Sequence, residues 1–263
     1  MRCIVVRALL VALLLLLVTA CRKQATDPSL KRLQERGELV VGMDDSFPPL
    51  GFCDENGDLV GVGVDLAREV ALRLGVTLRT LPIAWGAGER ALADGTVDCI
   101  WNVRALIDEC TSSATLTKPY LAGAQVILVR AESGITSWQG LSGRLIGVQT
   151  GSSAARALER AADFTDCLRG IIEFGESGTA LDALTVGGVD GVVVDSLFAG
   201  YELARSGRAF SVVEDSGLVA ESYAVAFYRE NRTLMDAVQR LLDELSADGT
   251  AARIFATWLG IGA

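Results

Sequence analysis

The chain has 263 residues, enough for one or two domains with a sizeable core. It carries 33 acidic against 24 basic side chains, a net charge of −9, and no histidine. The acidic balance disfavours nucleic acid and anionic lipid headgroups as partners, and the lack of histidine removes the commonest general base and metal ligand.

Arg2 and Arg7 precede an apolar run over residues 9–18 that exits through small residues. That is the layout of a secretory signal peptide over residues 1–20, with an apolar core short for a membrane span. Val18-Thr19-Ala20-Cys21 resembles the lipobox of bacterial lipoproteins. The resemblance implies lipidation of Cys21 and acyl chains holding the protein at a membrane face. Loss of the signal, with two arginines and no acid, takes the charge from −9 to −11. Residues 21–37 read as a lipidated start and a polar tether, with a short helical stretch over 30–36.

Of six cysteines, Cys3 leaves with the signal and Cys21 is expected to carry lipid, leaving Cys53, Cys99, Cys110 and Cys167. None is spaced as CxxC, so no metal site and no cofactor is expected. Outside the cytoplasm disulfides are permitted, and three connectivities stay open. Cys99 lies in an apolar run and reads as a buried thiol. Cys53 with Cys110 is the pairing most compatible with two nearby loops.

Residues 39–42 form the first predicted strand, followed by a loop fixed by Pro48 and Pro49. Residues 54–58 carry Asn56-Gly57 at the apex of a hairpin turn. A strand and a helix follow to Gly75, with Leu66, Val70 and Leu74 at helical spacing and Asp65 as the expected N-cap. Residues 89–93 are a helix stopped by Asp94-Gly95. Residues 97–101 are a buried strand predicted to stop at Asn102. In an open α/β sheet, ligands sit at the carboxyl ends of strands. The loop from Asn102 to Cys110 is therefore a candidate binding wall, with Asn102, Val103, Arg104 and Ala105 as its expected ligand contacts. Arg104 stands among apolar neighbours, where an unpaired arginine is unexpected. It is expected either to face a ligand anion or to pair with Asp108 or Glu109.

A second apolar strand spans 125–130, and 131–143 read as a loop holding Trp138 and Leu141. The strand 145–148 leads into Gly151-Ser152-Ser153, which opens a helix. Backbone N–H groups and hydroxyls there suit an anion, and they also suit simple capping. The strand 171–174 and the helix 179–186 follow. The buried strand 192–194 ends in Asp195, a carboxylate able to take a ligand ammonium, to cap the next helix, or both. Strands at 210–213 and 223–228 precede an amphipathic helix over 233–247 and a final helix with Ile254, Phe255 and Trp258 facing the core.

"DCIWN" and "LTKPYLAGAQVILVR", with the unit from Val40 to Gly75, resemble bacterial extracellular solute-binding proteins of family 3, which feed amino acids to ABC importers. The resemblance covers nearly all of the mature chain. It implies an α/β, two-lobe, type II periplasmic-binding fold with a hinge and a central cleft. The implied lobes are 38–121 plus 223–263, and 122–222, crossed near 120–123 and 222–224. It implies that Phe47 and Trp85 sandwich the ligand, that Asp44 contacts its distal group, that Ser152 and Ser153 bind its carboxylate, and that Asp195 takes its ammonium. Where the family usually carries Thr-x-x-Arg, whose arginine grips the ligand carboxylate, this chain has Ile107 and Cys110. Either the ligand is not a standard α-amino acid, or another cation, with Arg104 the candidate, replaces the lost one.

The expected function is capture of a small polar solute, an amino acid or a derivative, without turnover. The expected partners are that solute, an ABC permease and, through Cys21, the membrane, with the protein a monomer in the cell envelope. Two alternatives stand beside it. One is a dehydratase on the same fold, using Asp44 or Glu109 as general acid. The other is a sensor module, for which a transmembrane helix and a signalling domain are expected to follow.

Overall fold

The computed structural model describes residues 27–83, 87–104, 113–213, 218 and 220–259, without the side chains of Val103 and Arg104. Two long strands tie it together. β8 (Leu121–Arg130) and β13 (Ala220–Tyr228) pair antiparallel from Leu121 against Tyr223 to Ala124 against Ala220. Past that short ladder they part company. The rest of β8 pairs with β11 (Gly191–Asp195) and β12 (Phe210–Val213). The rest of β13 pairs with β6 (Cys99–Arg104) and β7 (Ala114–Leu116). The result is a two-lobe α/β fold joined by crossing strands.

In the first lobe β1 (Glu38–Met43) lies parallel between β5 (Thr77–Pro82) and β6. The hairpin strands β2 (Ser46–Phe47), β3 (Gly51–Cys53) and β4 (Leu59–Val60) form a separate small sheet. The Asn56-Gly57 turn forms as expected, with Asp54 N–H donating to the Asp58 carbonyl and Gly57 at φ 84°. α1 (Ser29–Arg36), α2 (Val62–Leu74), α3 (Gly88–Ala93), α8 (Arg232–Ala247) and α9 (Thr250–Leu259) complete the lobe. α2 buries Leu66, Ala67, Val70 and Ala71, spacings that lie on one helical face, and ends at left-handed Gly75. Asp65 does not cap it. The helix starts at Val62, where Gly61 takes φ 130° and the N–H groups of Val62 and Gly63 donate to Pro49 and Leu50 carbonyls. The backbone of the proline loop thus does what a capping side chain would do. Asp65 instead accepts from Trp258 Nε1 at 2.7 Å.

In the second lobe β9 (Leu145–Gln149), β10 (Gly170–Phe174) and β11 run parallel, with β8 antiparallel to β11. Side-chain alternation sorts its apolar residues. Ile127, Val129, Ile146, Val148 and Val193 pack on one face with α4 (Ser153–Arg160) and α5 (Ala162–Thr165). Leu128, Val192 and Val194 pack on the other with α6 (Ser177–Thr185) and α7 (Ser196–Arg205). β10 is the edge strand, which leaves Ile171 and Ile172 exposed. No helix among the described residues is long and apolar enough to cross a membrane.

The strand expected to stop at Asn102 continues to Arg104. Trp101 and Asn102 face the single residue Val225 in a β-bulge, and Asn102 takes φ 62°. The polar residue that reads as a strand end is the bulge that lets the strand run on. The 131–143 loop contains two 3-10 turns, Ala131–Ser133 and Trp138–Leu141, with Leu141 fully buried. Cys99 is a buried thiol whose pKa burial pushes up, as expected. Cys53 is a free thiol at the exposed end of β3, so the Cys53–Cys110 pairing is not formed; Cys110 lies outside the described residues. Cys167 is also free, its Sγ set against the Phe164 carbonyl.

Candidate ligand site between the lobes

Where β8 and β13 cross, the chain concentrates polar groups that its composition would place on the surface. Asp195, Gln125 and Glu221 are all buried there, with 5%, 2% and 6% of their surface exposed. Asp195 ends β11 and caps α7. Its Oδ1 accepts from the N–H of Leu197 at 2.7 Å and of Phe198 at 3.3 Å. Its Oδ2 accepts from the Tyr223 hydroxyl at 2.5 Å. Burial dominates its proton affinity: the pKa is pushed up to about 6, with nearby Glu221 adding to the rise while the hydroxyl and the two N–H groups oppose it. The capping role foreseen for Asp195 is seen, on one oxygen, while the other takes the Tyr223 hydroxyl from the crossing strands.

Gln125 is paired directly across from Asp195 in the β8–β11 ladder. Its Nε2 donates to Glu221 Oε2 at 2.9 Å and to Ser153 Oγ at 3.2 Å. Its Oε1 is buried without a partner. Ser153 is the first residue of α4, and Ser152 caps that helix by accepting from Ala155 N–H at 3.1 Å. The two serines therefore differ. Ser152 is committed to the cap, whereas Ser153 faces the crossing strands beside the positive end of α4.

Phe47 comes from the first lobe and packs against cores of both lobes. Its ring lies parallel to Phe198 at 6.4 Å and tilted against Tyr223 at 6.4 Å. The Phe47 ring is thus packed against residues of the chain itself. Trp85, its expected partner, lies outside the described residues, as do Ala105, Asp108, Glu109, Cys110 and the lipidation candidate Cys21. Of the Asn102–Ala105 wall, the backbone places Val103 against Ala224 and Arg104 against Tyr223, on the strand next to the cluster.

Two expected contact residues have structural work instead. Asp44 Oδ1 accepts from Ser46 N–H at 2.8 Å and Ser46 Oγ at 2.7 Å, closing a local turn. Asn102 Oδ1 accepts from the Tyr120 hydroxyl at 2.7 Å, and its side chain lies against Gly51 and Gly63. Tyr120 is half-buried and tilted against Trp101, and desolvation raises its pKa so that it stays a donor.

Gln125, Glu221, Tyr223 and Phe198 were not singled out by sequence reasoning. A signal existed for two of them. Gln125 is the polar start of an apolar run, and Glu221 interrupts another. Nothing in the sequence places either beside Asp195. Among the described residues no three His, Cys, Asp or Glu side chains gather as a metal site would require. What the cluster can do is accept hydrogen bonds from a cationic group while α4 meets an anion. That is the charge pattern of a zwitterion.

Comparison with known proteins agrees with the two-lobe fold. Residues 39–261 match the profile of bacterial extracellular solute-binding proteins, family 3. The chain is 26% identical over 238 residues to the L-cystine-binding protein TcyJ of Escherichia coli (strain K12), covering 90% of this chain and 88% of that protein. Among solved structures, an ABC uptake transporter substrate-binding protein from Streptococcus pneumoniae with bound histidine superposes with a TM-score of 0.80 at 28% identity. The match covers 90% of this chain and 98% of that one. An ancestral amino-acid-binding protein, described as a precursor of cyclohexadienyl dehydratase, superposes with a TM-score of 0.75 at 26% identity, covering 88% and 99%.

Proposed function

Because this chain belongs to the bacterial extracellular solute-binding proteins, family 3, we propose that it captures a small zwitterionic solute, an amino acid or a close derivative, between its lobes and delivers it to an ABC permease. The observation that carries this reading is the buried Asp195 at the strand crossing, facing Gln125 and close to the N-terminus of α4. An ionised carboxylate there binds the ammonium, and Ser153 with the helix N-terminus receives the carboxylate. Phe47 and Trp85 hold the side chain. Arg104, whose backbone lies opposite Tyr223, supplies the cation that Cys110 cannot.

The lobes are 38–121 plus 223–263, and 122–222, and they close about the 121–124 and 220–223 ladder. Residues 1–20 act as an export signal. Lipid on Cys21 tethers the monomer at the outer face of a membrane or in the periplasm. Binding, not turnover, is the task. The dehydratase reading keeps one supporting observation: a cleft carboxyl with a pKa near 6 is suited to general acid work. Incubation with prephenate decides between them, since product formation above the uncatalysed rate would replace capture with catalysis.

The direct test is a thermal-shift and calorimetry screen against L-cystine, L-histidine, L-arginine, L-glutamine and L-glutamate. At least one is expected to bind with one-to-one stoichiometry. Absence of binding by all five would overturn the reading.

A further inference from the structure

Gln125 is a buried polar side chain of the crossing region with its donors fully used. Both hydrogens of its Nε2 are committed, one to Glu221 Oε2 at 2.9 Å and one to Ser153 Oγ at 3.2 Å. The orientation of the amide follows from those partners. Turned over, it would set Oε1 against Glu221 Oε2, two acceptors facing each other. The accounting leaves Oε1 as a buried acceptor with no donor among the described residues. Such orphans are rare in folded proteins and ask for an explanation.

The position of the orphan supplies one. Gln125 and Asp195 are register partners on neighbouring antiparallel strands, so their side chains rise from the same face of the sheet about 5 Å apart at Cβ. Asp195 Oδ2 has one lone pair left after taking the Tyr223 hydroxyl. Register partners thus carry two acceptors, one charged and one neutral, in the region where the proposed function puts the solute ammonium. An ammonium carrying several N–H groups satisfies both at once. A nitrogen with a single N–H cannot.

We propose that Gln125 is a specificity-determining ligand contact, its Oε1 accepting an N–H from the same ammonium that Asp195 binds, so that the site selects primary ammonium groups over N-alkylated ones. The inference rests on the capture function proposed above. It adds a residue, and it predicts rejection of betaine-like and N,N-dialkylated solutes. Glu221 and Ser153 act through Gln125, holding its amide so that Oε1 stays turned toward Asp195.

The test uses the mature protein, the five amino acids already named, and the Nα,Nα-dimethyl derivative of whichever binds tightest. Wild type is expected to bind the dimethyl form at least about thirtyfold more weakly than the parent, since one N–H now serves two acceptors. Gln125→Leu, checked for a cooperative melt, is expected to bind the parent about tenfold more weakly and to shrink the gap between parent and dimethyl form to a few-fold. If an amino acid binds and Gln125→Leu leaves its affinity and the gap unchanged, the inference is overturned while the capture reading stands. If none of the five binds wild type, the capture reading fails and takes this inference with it. If Gln125→Leu does not fold, the wild-type arm decides: equal affinity for parent and dimethyl form overturns the proposal, and the thirtyfold loss supports it.

Discussion

Asp195 joins two demands in one side chain. As a cap it saves the first N–H groups of α7, and as a buried carboxyl near Glu221 it resists ionisation. Asp195→Asn keeps a capping oxygen but removes the charge. The variant is expected to melt within about 1 kcal/mol of wild type and to lose affinity by about a hundredfold, read by calorimetry. The pH dependence has opposite signs for folding and for binding. The folded pKa near 6 lies above the ordinary value of 3.8, so the ligand-free fold holds the proton more tightly than the unfolded chain does. Stability of the ligand-free protein from this group therefore rises as pH falls from 6 toward 4, and is lost as pH rises back through that window. Ammonium binding needs the ionised form, so affinity falls below pH 6, approaching tenfold per pH unit. Denaturant melts and calorimetry at pH 7.5 and 5, with Asp195→Asn flattening both trends, check the two signs.

Asn102 shows how a residue can look like a ligand contact and be a structural part. Its positive φ makes the bulge, and its amide fills the space beside Gly51 and Gly63. A Cβ on Gly63 would stand 2.4 Å from Asn102 Oδ1, which is itself held by Tyr120. Gly63→Ala is expected to destabilise the first lobe by about 1–3 kcal/mol. A melt unchanged within error would show that the Asn102 side chain can swing away freely.

Among the elements, α7 does more than complete the second lobe. Leu197 packs into the first-lobe core, and Phe198 lies parallel to Phe47. Further along, Tyr201 meets Phe52 of β3 edge-on at 5.6 Å. Phe52 in turn meets Trp258 of α9 at 5.8 Å and 90°. Arg205 sits 5.0 Å over the Tyr201 ring. Of these, Leu197 in the first-lobe core, Phe198 on Phe47 and Tyr201 on Phe52 join the lobes, so they favour closure before any solute arrives. An aromatic pair is worth about 0.5–1.5 kcal/mol beyond its area. Phe52→Ala is expected to enlarge the ligand-free radius of gyration in solution scattering and to weaken affinity by about two- to tenfold. An unchanged scattering profile together with unchanged affinity would show that α7 does not bear on closure.

For the molecule as a whole, the crossing ladder is the narrow place. Among the described residues β8 and β13 are the strands that run through both lobes, and Leu197 and Phe47 are where the cores on either side touch. A solute that binds the closed form couples the lobes. At a hundredfold excess over its dissociation constant it adds about 2.7 kcal/mol. That is expected to raise the melting temperature by about 5–10 °C for a chain of this size. The net charge of −9 keeps the surface repulsive toward anions and leaves recognition to the few groups inside.

Periodicity was enough to place most strands and helices and to mark Asp195 and the Gly151–Ser153 turn, because burial writes an apolar pattern into each element and strand ends carry the polar residues that break it; Phe47 was marked by the family resemblance. Where the local pattern was ambiguous it misled. The amide of Asn102 read as a strand end, and Asp65 as a cap, because bulges and backbone capping depend on partners far away in the chain. Gln125, Glu221 and Tyr223 come from β8 and β13, and Asp195 from β11. Their meeting is a matter of strand register, which no single segment encodes. The tertiary structure alone decides that a glutamine at the head of one apolar strand and an aspartate at the foot of another share a single buried place.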